Sequence, residues 1–337
     1  MVRMHITQKK SEEFMNKINI LVTGTGSLIC QAIIKSIKQS SLKDDIYIVG
    51  YDYFPETVGS FWCDKNYILP DILKPENKDN WQEQIFDIIK RDNISLLFIG
   101  LDFELILFAE LKEKIESQTK CKVIVADKKV LTIGNDKYLT AQFLKENGLN
   151  YPKTYLIDEF KDGYIDYPCI LKPRVGARSK GVSIINSKEE LYKKANIVEG
   201  AIVQELIGNK DSEYTCGILY LDNKLISSIA LKRVLKEGNT HLARFNKNFS
   251  PKIYDYLNEI AHKLKPYGSC NLQLRTDEKG EPFLFEINPR FSGTTYIRSL
   301  FGYKEVEYII KYLLGMSNES FELIEGTVCR YYEEKLV

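Results

Sequence analysis

LFEINPRFSG, residues 284–293, is the stretch that decides how this chain is read. It sets Glu286, Asn288 and Arg290 at alternate positions inside an otherwise apolar, strand-like run. Alternate residues of a strand share a face, so one face carries a carboxylate, then an amide, then a cation. The segment just before it extends the pattern. SCNLQLRTDEKGEPFLFEINPR (269–290) predicts an antiparallel hairpin turning near Gly280, with Gln273 lying opposite Glu286. Asn271, Gln273 and Arg275 then share a face of the first strand. The result is a patch of oxygen donors with Arg290 just past the strand end. Hard divalent cations such as magnesium take oxygen ligands and bridge one or two carboxylates to substrate phosphates. A solvated face of an edge hairpin would look the same, so the patch needs support from elsewhere in the chain.

That support comes from upstream. CILKPRVGARSKGVSII (169–185) places Lys172 at a strand end, followed by a loop with Gly176, Ser179 and Gly181. Glycine-containing loops let backbone N–H groups approach phosphate oxygens, and lysine adds a compact positive charge. Lys137, opening a helix after IGND (133–136), is a second candidate phosphate cation, though a lone lysine there is more often simply solvated. VQELIGNKDSEY (203–214) reads as a strand running into a loop, with Glu213 available for a ribose hydroxyl. Each of these segments alone is equally an ordinary surface loop or strand.

Composition narrows the class. The chain has 337 residues, 44% hydrophobic and 28% charged, which suits a globular protein of two or three domains. A net charge of +1 gives no basic stripe for nucleic acid. Seven scattered cysteines without a C-x-x-C pair read as buried thiols of a reducing compartment rather than a zinc site. The N-terminus lacks an apolar leader and no run approaches membrane-spanning length, so a cytoplasmic protein without a membrane partner is expected.

INILVTG (18–24), IYIVGYD (46–52), SLLFIG (95–100) and KVIVAD (122–127) read as buried strands alternating with amphipathic helices. Such alternation predicts a parallel sheet covered by helices. The pattern then changes to short strands, antiparallel hairpins turning at LDNK and TDEKGE, a helix at 251–265 and closing helices near KEVEYIIKYLLG. The expected organisation is an N-terminal extension (1–16), a parallel α/β domain (17–127) and an α+β region (128–337). The last divides into a smaller part at about 150–207 and a larger one at about 208–320.

Taken in order, ILVTGTGS, GLDFEL, NDK, ILKP with its Gly loop, VQELI, EY, NLQL and EINPRFSG resemble the ATP-grasp superfamily. The likeness is strongest to a synthetase half of the carbamoyl-phosphate synthase large subunit, and it runs over about 18–315. The resemblance implies a Rossmann-like pre-ATP-grasp domain followed by an ATP-grasp fold of two α+β subdomains. It implies that Lys137 and Lys172 hold ATP phosphates, with the loop bearing Gly176, Arg178, Ser179, Gly181 and Val182 closing over them. The segment Gln204, Glu205, Leu206, Ile207 would meet the adenine edge and Glu213 the ribose. Gln273, Glu286 and Asn288 would hold Mg2+ (or Mn2+) on the terminal phosphates, while Lys172, Asn288 and Arg290 would serve the transfer itself.

The activity so implied is ATP-dependent ligation of a small carboxylate to an amine through an acyl phosphate, releasing ADP and phosphate. Alternatives are a carboxyphosphate- or carbamoyl-phosphate-forming enzyme and a non-catalytic ATP-binding regulatory module. Dimers are common among such enzymes, so a homodimer fits. Phosphoryl transfer asks mainly for positioning and charge neutralisation. Two unit charges 4 Å apart interact by roughly 4 kcal/mol at an effective dielectric of 20, so each cation near the phosphates matters.

Two departures stand out. Gln273 replaces the carboxylate many relatives use as a metal ligand, and the loop RVGARSKGV (174–182) is poor in glycine, with Arg178 and Lys180 inserted. For the substrates, Asp102 and Glu104 of GLDFEL (100–105) sit at a strand's C-terminal end, where open α/β sheets bind ligands, or else cap the following helix. Arg233, His241 and Arg244 in ALKRVLKEGNTHLARF (230–245) form a strand and polar loop suited to an anionic substrate or to solvent. Arg290, Ser292 and Gly293 complete the expected substrate side. LVTGTGSLI (21–29) looks like a dinucleotide turn with Asp52 as a ribose contact, but Ile29 stands where the third glycine belongs.

Overall fold

The computed structural model describes residues 17–176, 180–334 and 336. By contact, they form two compact units: one of the chain up to Val125 with Phe291–Glu322 and the end from Tyr332, the other of Ala126–Arg290 with Leu323–Tyr331.

The first unit is built on a parallel sheet. Its strands are β1 (Ile18–Thr23), β2 (Ile46–Asp52), β3 (Lys65–Ile68), β4 (Leu96–Phe98) and β5 (Lys122–Ile124), in the order β3-β2-β1-β4-β5. Ile20, Leu21, Val22, Val49 and Leu96–Phe98 are fully buried. Strands covered on both faces read as continuous apolar runs, which is why four of the five are visible in the sequence. The exception, β3, is an edge strand of mixed polarity, KNYI, largely half-buried. The helices Leu28–Lys38, Lys78–Arg91 and Leu105–Gln118 follow β1, β3 and β4.

The Gly turn after β1 serves the fold. Asp52 is buried and accepts hydrogen bonds from the backbone N–H of Gly26 (2.7 Å), Tyr53 (2.7 Å) and Phe54 (3.2 Å). Its carboxylate is spent on shaping two loops, not held ready for a ribose.

A late return of the chain completes this unit. Helices Thr295–Leu300 and Glu305–Leu313 pack on Leu28–Lys38, with the Ser36 and Ser299 hydroxyls 3.1 Å apart. Between those two helices Arg298 is enclosed with Glu305, Nη2 to Oε1 2.6 Å, at 1% and 0% side-chain exposure.

The second unit holds two antiparallel sheets. β6 (Thr154–Leu156), β7 (Cys169–Pro173), β8 (Ser183–Ile185) and β9 (Ala201–Glu205) form one, in the order β6-β9-β7-β8. Leu171, Ile185, Leu191 and Val203 form its core with Phe160 and Ile165. The larger sheet runs β14-β13-β10-β11-β12-β15. Its strands are β10 (Glu213–Leu221), β11 (Lys224–Lys236), β12 (Asn239–Phe245), β13 (Gly268–Thr276), β14 (Pro282–Asn288) and β15 (Gly326–Cys329). Asp222 and Asn223 both take positive φ (46° and 61°), as a two-residue hairpin turn demands. Helix Pro251–Leu264 packs against β10, β11 and β14.

One expectation is corrected here: residues 239–245 are a strand, not a polar loop. Glu237 and Gly238, at φ 53° and 76°, turn the chain so that β12 pairs with β11, Arg233 opposite Ala243. All seven cysteines are free thiols. Among the described residues no helix is long and apolar enough to cross a membrane.

Removing one partner of a buried ion pair strands the other charge, at a cost of about 3–5 kcal/mol. Glu305→Ala is therefore expected to lower the unfolding free energy measured by urea denaturation by an amount of that order. Combining it with Arg298→Met should recover much of the loss, since the uncompensated guanidinium is then gone.

Candidate active site

The hairpin of β13 and β14 has the register its sequence demands. Gln273 pairs with Glu286 and Asn271 with Asn288. On the other side of β13, Thr215 lies opposite Gln273 and Glu213 opposite Arg275. Paired residues share a face, so β10, β13 and β14 together present Glu213, Thr215, Asn271, Gln273, Arg275, Glu286 and Asn288 on one side. The register shifts between Gln273 and Leu274, leaving Phe285 as an extra residue on β14. A bulge re-aims the side chains beside it. Phe285 and Glu286, although consecutive, consequently both line the same cavity.

That cavity, of about 590 Å³, lies within the second unit. Lys172 stands in its wall at the end of β7, with Ile170 two residues earlier on the same strand face. Lys172 is buried and donates to Gln204 Oε1 (2.7 Å), and Gln204 donates in turn to Thr154 Oγ1 (2.9 Å). Its Nζ also sits 5.6 Å above the Phe285 ring. Burial pushes the Lys172 ammonium down to about 7; Glu286 opposes the shift, while Lys137 and Arg275 add to it. An amine so desolvated lacks only an anion.

Lys137 opens helix Lys137–Glu146, whose N-cap Asp136 accepts from the Tyr138 and Leu139 N–H groups. Asp136 also takes the Arg174 guanidinium at 2.5 Å. Lys137 Nζ meets the Gly176 carbonyl (2.8 Å), tying the helix start to the glycine loop. Gly181 takes φ +73°, and a Cβ there would lie 2.9 Å from Pro173 Cγ, so the loop needs a glycine at that point. Gly176 and Val182 line the cavity. Arg178 and Ser179 lie outside the described residues.

The end of β9 and the residues after it, Gln204, Glu205, Leu206 and Ile207, form another wall. Opposing charges are interlocked along the hairpin face. Arg233 Nη2 donates to Gln273 Oε1 (2.5 Å) and Glu213 Oε1 (3.1 Å), while Arg275 binds Glu213 Oε2 through Nε (3.1 Å) and Nη2 (3.0 Å). Glu213, expected at a ribose, thus anchors two arginines. Asn288 donates to Glu286 Oε1 (2.9 Å) and accepts from Arg290 Nη2 (3.1 Å). Neither Asn288 nor Arg290 is among the cavity's lining residues; both join it through this chain of contacts.

The remaining expectations fare differently. Glu104 stands at the N-cap position of Leu105–Gln118, but its side chain makes no capping bond and is not open to a substrate. It is fully buried, accepting from Thr23 (2.5 Å), Tyr51 (2.7 Å) and Tyr53 (2.6 Å), and burial lifts its carboxyl to about 7 against those hydrogen bonds. Asp102 is exposed on the same 3₁₀ turn. Ser292 is buried in the first unit, its hydroxyl 2.7 Å from that of Thr294, with Gly293 between them in sequence. His241 and Arg244 lie on β12, and the cavity lining does not include them. Sequence reasoning missed Phe285, Arg275 as a partner of Glu213, and Lys210. Ile170 was within reach, since it precedes Lys172 by one strand period.

Cations, apolar side chains and an oxygen-rich face in one cavity suit a nucleotide polyphosphate with a hard metal. Residues 134–294 match the family model described as the ATP-grasp domain. That stretch is similar to an ATP-grasp domain. The chain is similar to the carbamoyl-phosphate synthase of Methanobrevibacter smithii, 25% identical over 250 residues, 69% of this chain and 66% of that one. It is also similar to the coenzyme gamma-F420-2:alpha-L-glutamate ligase of Methanococcus maripaludis, 30% identical over 49% of this chain and 62% of the relative. The matches thus span about two thirds or less of those relatives' own length. Among solved structures, the N5-carboxyaminoimidazole synthetase from Staphylococcus aureus complexed with ADP superposes with a TM-score of 0.71 at 14% identity. That match covers 91% of this chain and 80% of the other. At that identity the likeness is one of fold.

With its proton affinity near 7, Lys172 is mostly neutral at pH 8 before nucleotide is added. A bound polyphosphate restores the charged form. Nucleotide binding at pH 8 is therefore expected to take up close to one proton, read from the dependence of binding heat on buffer ionisation enthalpy. The uptake should vanish in Lys172→Met and shrink below pH 6.

Proposed function

We propose that this protein is an ATP-dependent carboxylate–amine ligase. The observation that carries the reading is the cavity shared by Lys137, Lys172 and Glu286, with Asn288 bonded to Glu286. Two ammonium groups and an oxygen-donor face fit a triphosphate better than any neutral ligand. Ile170, Val182, Leu206 and Phe285 add apolar lining to the same cavity, which a purine can use.

The residues present also fit a hard metal. Glu286 is the one carboxylate of the Gln273, Glu286, Asn288 set, and among the described residues no three His, Cys, Asp or Glu side chains cluster as a self-sufficient cage. An ion held there would depend on phosphate and water oxygens, as magnesium ordinarily does. When bound, Mg2+ would neutralise charge on the terminal phosphates.

The chain's own groups account for the rest. Lys172 and Lys137 hold the phosphates, and Arg290, braced on Asn288 (3.1 Å), is the group we assign to the transferred phosphoryl. A substrate carboxylate oxygen attacks the γ-phosphorus and ADP leaves. An amine nitrogen then attacks the acyl carbon of the acyl phosphate, expelling phosphate and losing a proton. The similarity to the coenzyme gamma-F420-2:alpha-L-glutamate ligase supports ligation as the reaction class.

A second reading, formation of carboxyphosphate or carbamoyl phosphate from bicarbonate, draws on the similarity to carbamoyl-phosphate synthase over 69% of the chain. It uses the same phosphate and metal groups and differs only in the acceptor.

Phosphate release in a panel pairing carboxylates or bicarbonate with amines tests the choice. Stimulation by a carboxylate and an amine together is expected; stimulation by bicarbonate alone would favour the second reading. Nucleotide binding without turnover on any pair would point to a regulatory module instead. Glu286→Gln should cut turnover by roughly 10²–10³-fold, the range seen when one electrostatic stabiliser is removed, with the thermal midpoint unchanged. Wild-type turnover of that variant at limiting magnesium would contradict the assignment.

A further inference from the structure

We propose that Arg233 serves as the second cation of this site, so that the triphosphate binds with a single divalent ion. The inference rests on the nucleotide reading above and concerns how charge in that same cavity is balanced.

Gln273 lies directly across the sheet from Glu286, where a second carboxylate would let two ions bind side by side. It is instead a neutral amide, and its Oε1 is taken by Arg233 Nη2 at 2.5 Å. A guanidinium stays charged at any working pH, so a divalent ion at Gln273 would meet a fixed positive charge in its own place. Arg233 is not free to drift away either. Its side chain is 12% exposed and also bonded to Glu213, which Arg275 grips from the other side. The guanidinium is therefore held in position before any ligand arrives.

One further observation fits. Arg233 Nε is buried and has no acceptor. A buried donor without a partner is costly, and an incoming anionic oxygen is the partner that would relieve it. An arginine that merely waited for an acidic substrate would have no influence on how many metal ions the nucleotide brings.

The test counts metal ions on the full chain. Mn2+ bound per β,γ-imido-ATP is measured by electron paramagnetic resonance of the free ion across a titration. One ion per bound nucleotide is expected for the wild type, and two for the Gln273→Glu/Arg233→Met double variant. Arg233→Lys, which keeps the charge, should hold a single ion with weaker nucleotide affinity. Two ions in the wild type would overturn the proposal without needing any variant. A single ion in a folded double variant that still binds nucleotide would overturn it as well. If the wild type bound no nucleotide at all, the underlying nucleotide reading would fail, an outcome distinct from a wrong stoichiometry.

Discussion

The pairing of β13 with β14 that sets Gln273 across from Glu286 is the constraint on which the site depends. A slip of one residue in that register would turn every polar side chain of the face toward the opposite side of the sheet. The tight turn at Asp277–Glu281, closed by the Asp277 N–H to the Glu281 carbonyl and the Gly280 N–H to the Asp277 carbonyl, fixes it at one end. Leu272, Leu274, Leu284 and Ile287, all fully buried, fix it from the other face. Function and core share one alternation: oxygen atoms on one side, hydrocarbon on the other. The bulge at Phe285 breaks that alternation at a single place, and there an aromatic ring enters the polar cavity beside the carboxylate.

Around this face the domain tolerates charge that a purely structural core would avoid. Lys172 is buried with the Gln204 amide oxygen as its hydrogen-bond partner and a carboxylate near enough to shift its proton affinity. Arg233 and Arg275 converge on Glu213. Buried cations with incomplete compensation are destabilising unless an anion arrives. The arrangement is pre-organised for a polyanion, and the ordering cost is met in folding rather than at binding. Arg298 with Glu305 in the first unit makes the contrast. That pair is closed on itself, and its role is in the packing of the two returning helices.

Much of this was legible in the sequence because it depends on short-range period. The hairpin register follows from TDEKGE and alternate residues; Lys172 at a strand end follows from CILKP; the Asp136 cap follows from NDK. What stayed hidden depends on partners distant in the chain. Glu104 looks like a strand-end ligand until Thr23, Tyr51 and Tyr53 close over it. His241 and Arg244 look like loop residues because the ladder that makes β12 a strand comes from β11 and from β15, more than eighty residues away in the latter case. The Lys172–Gln204 contact spans 32 positions, and the bulge that brings Phe285 inward leaves no mark in a pattern of alternating residues. The return of residues 291–322 to the first unit likewise depends on contacts with Leu28–Lys38 that no local pattern announces.

In this reading the oxygen-donor face and the two lysines grip one triphosphate. A crystal structure with Mg2+ and a non-hydrolysable ATP analogue is the decisive measurement. Phosphates are expected between Lys137, Lys172 and the metal on Glu286, with the base beside residues 204–207. Nucleotide bound elsewhere, with Lys172 still paired to Gln204 and Glu286 facing solvent, would contradict it.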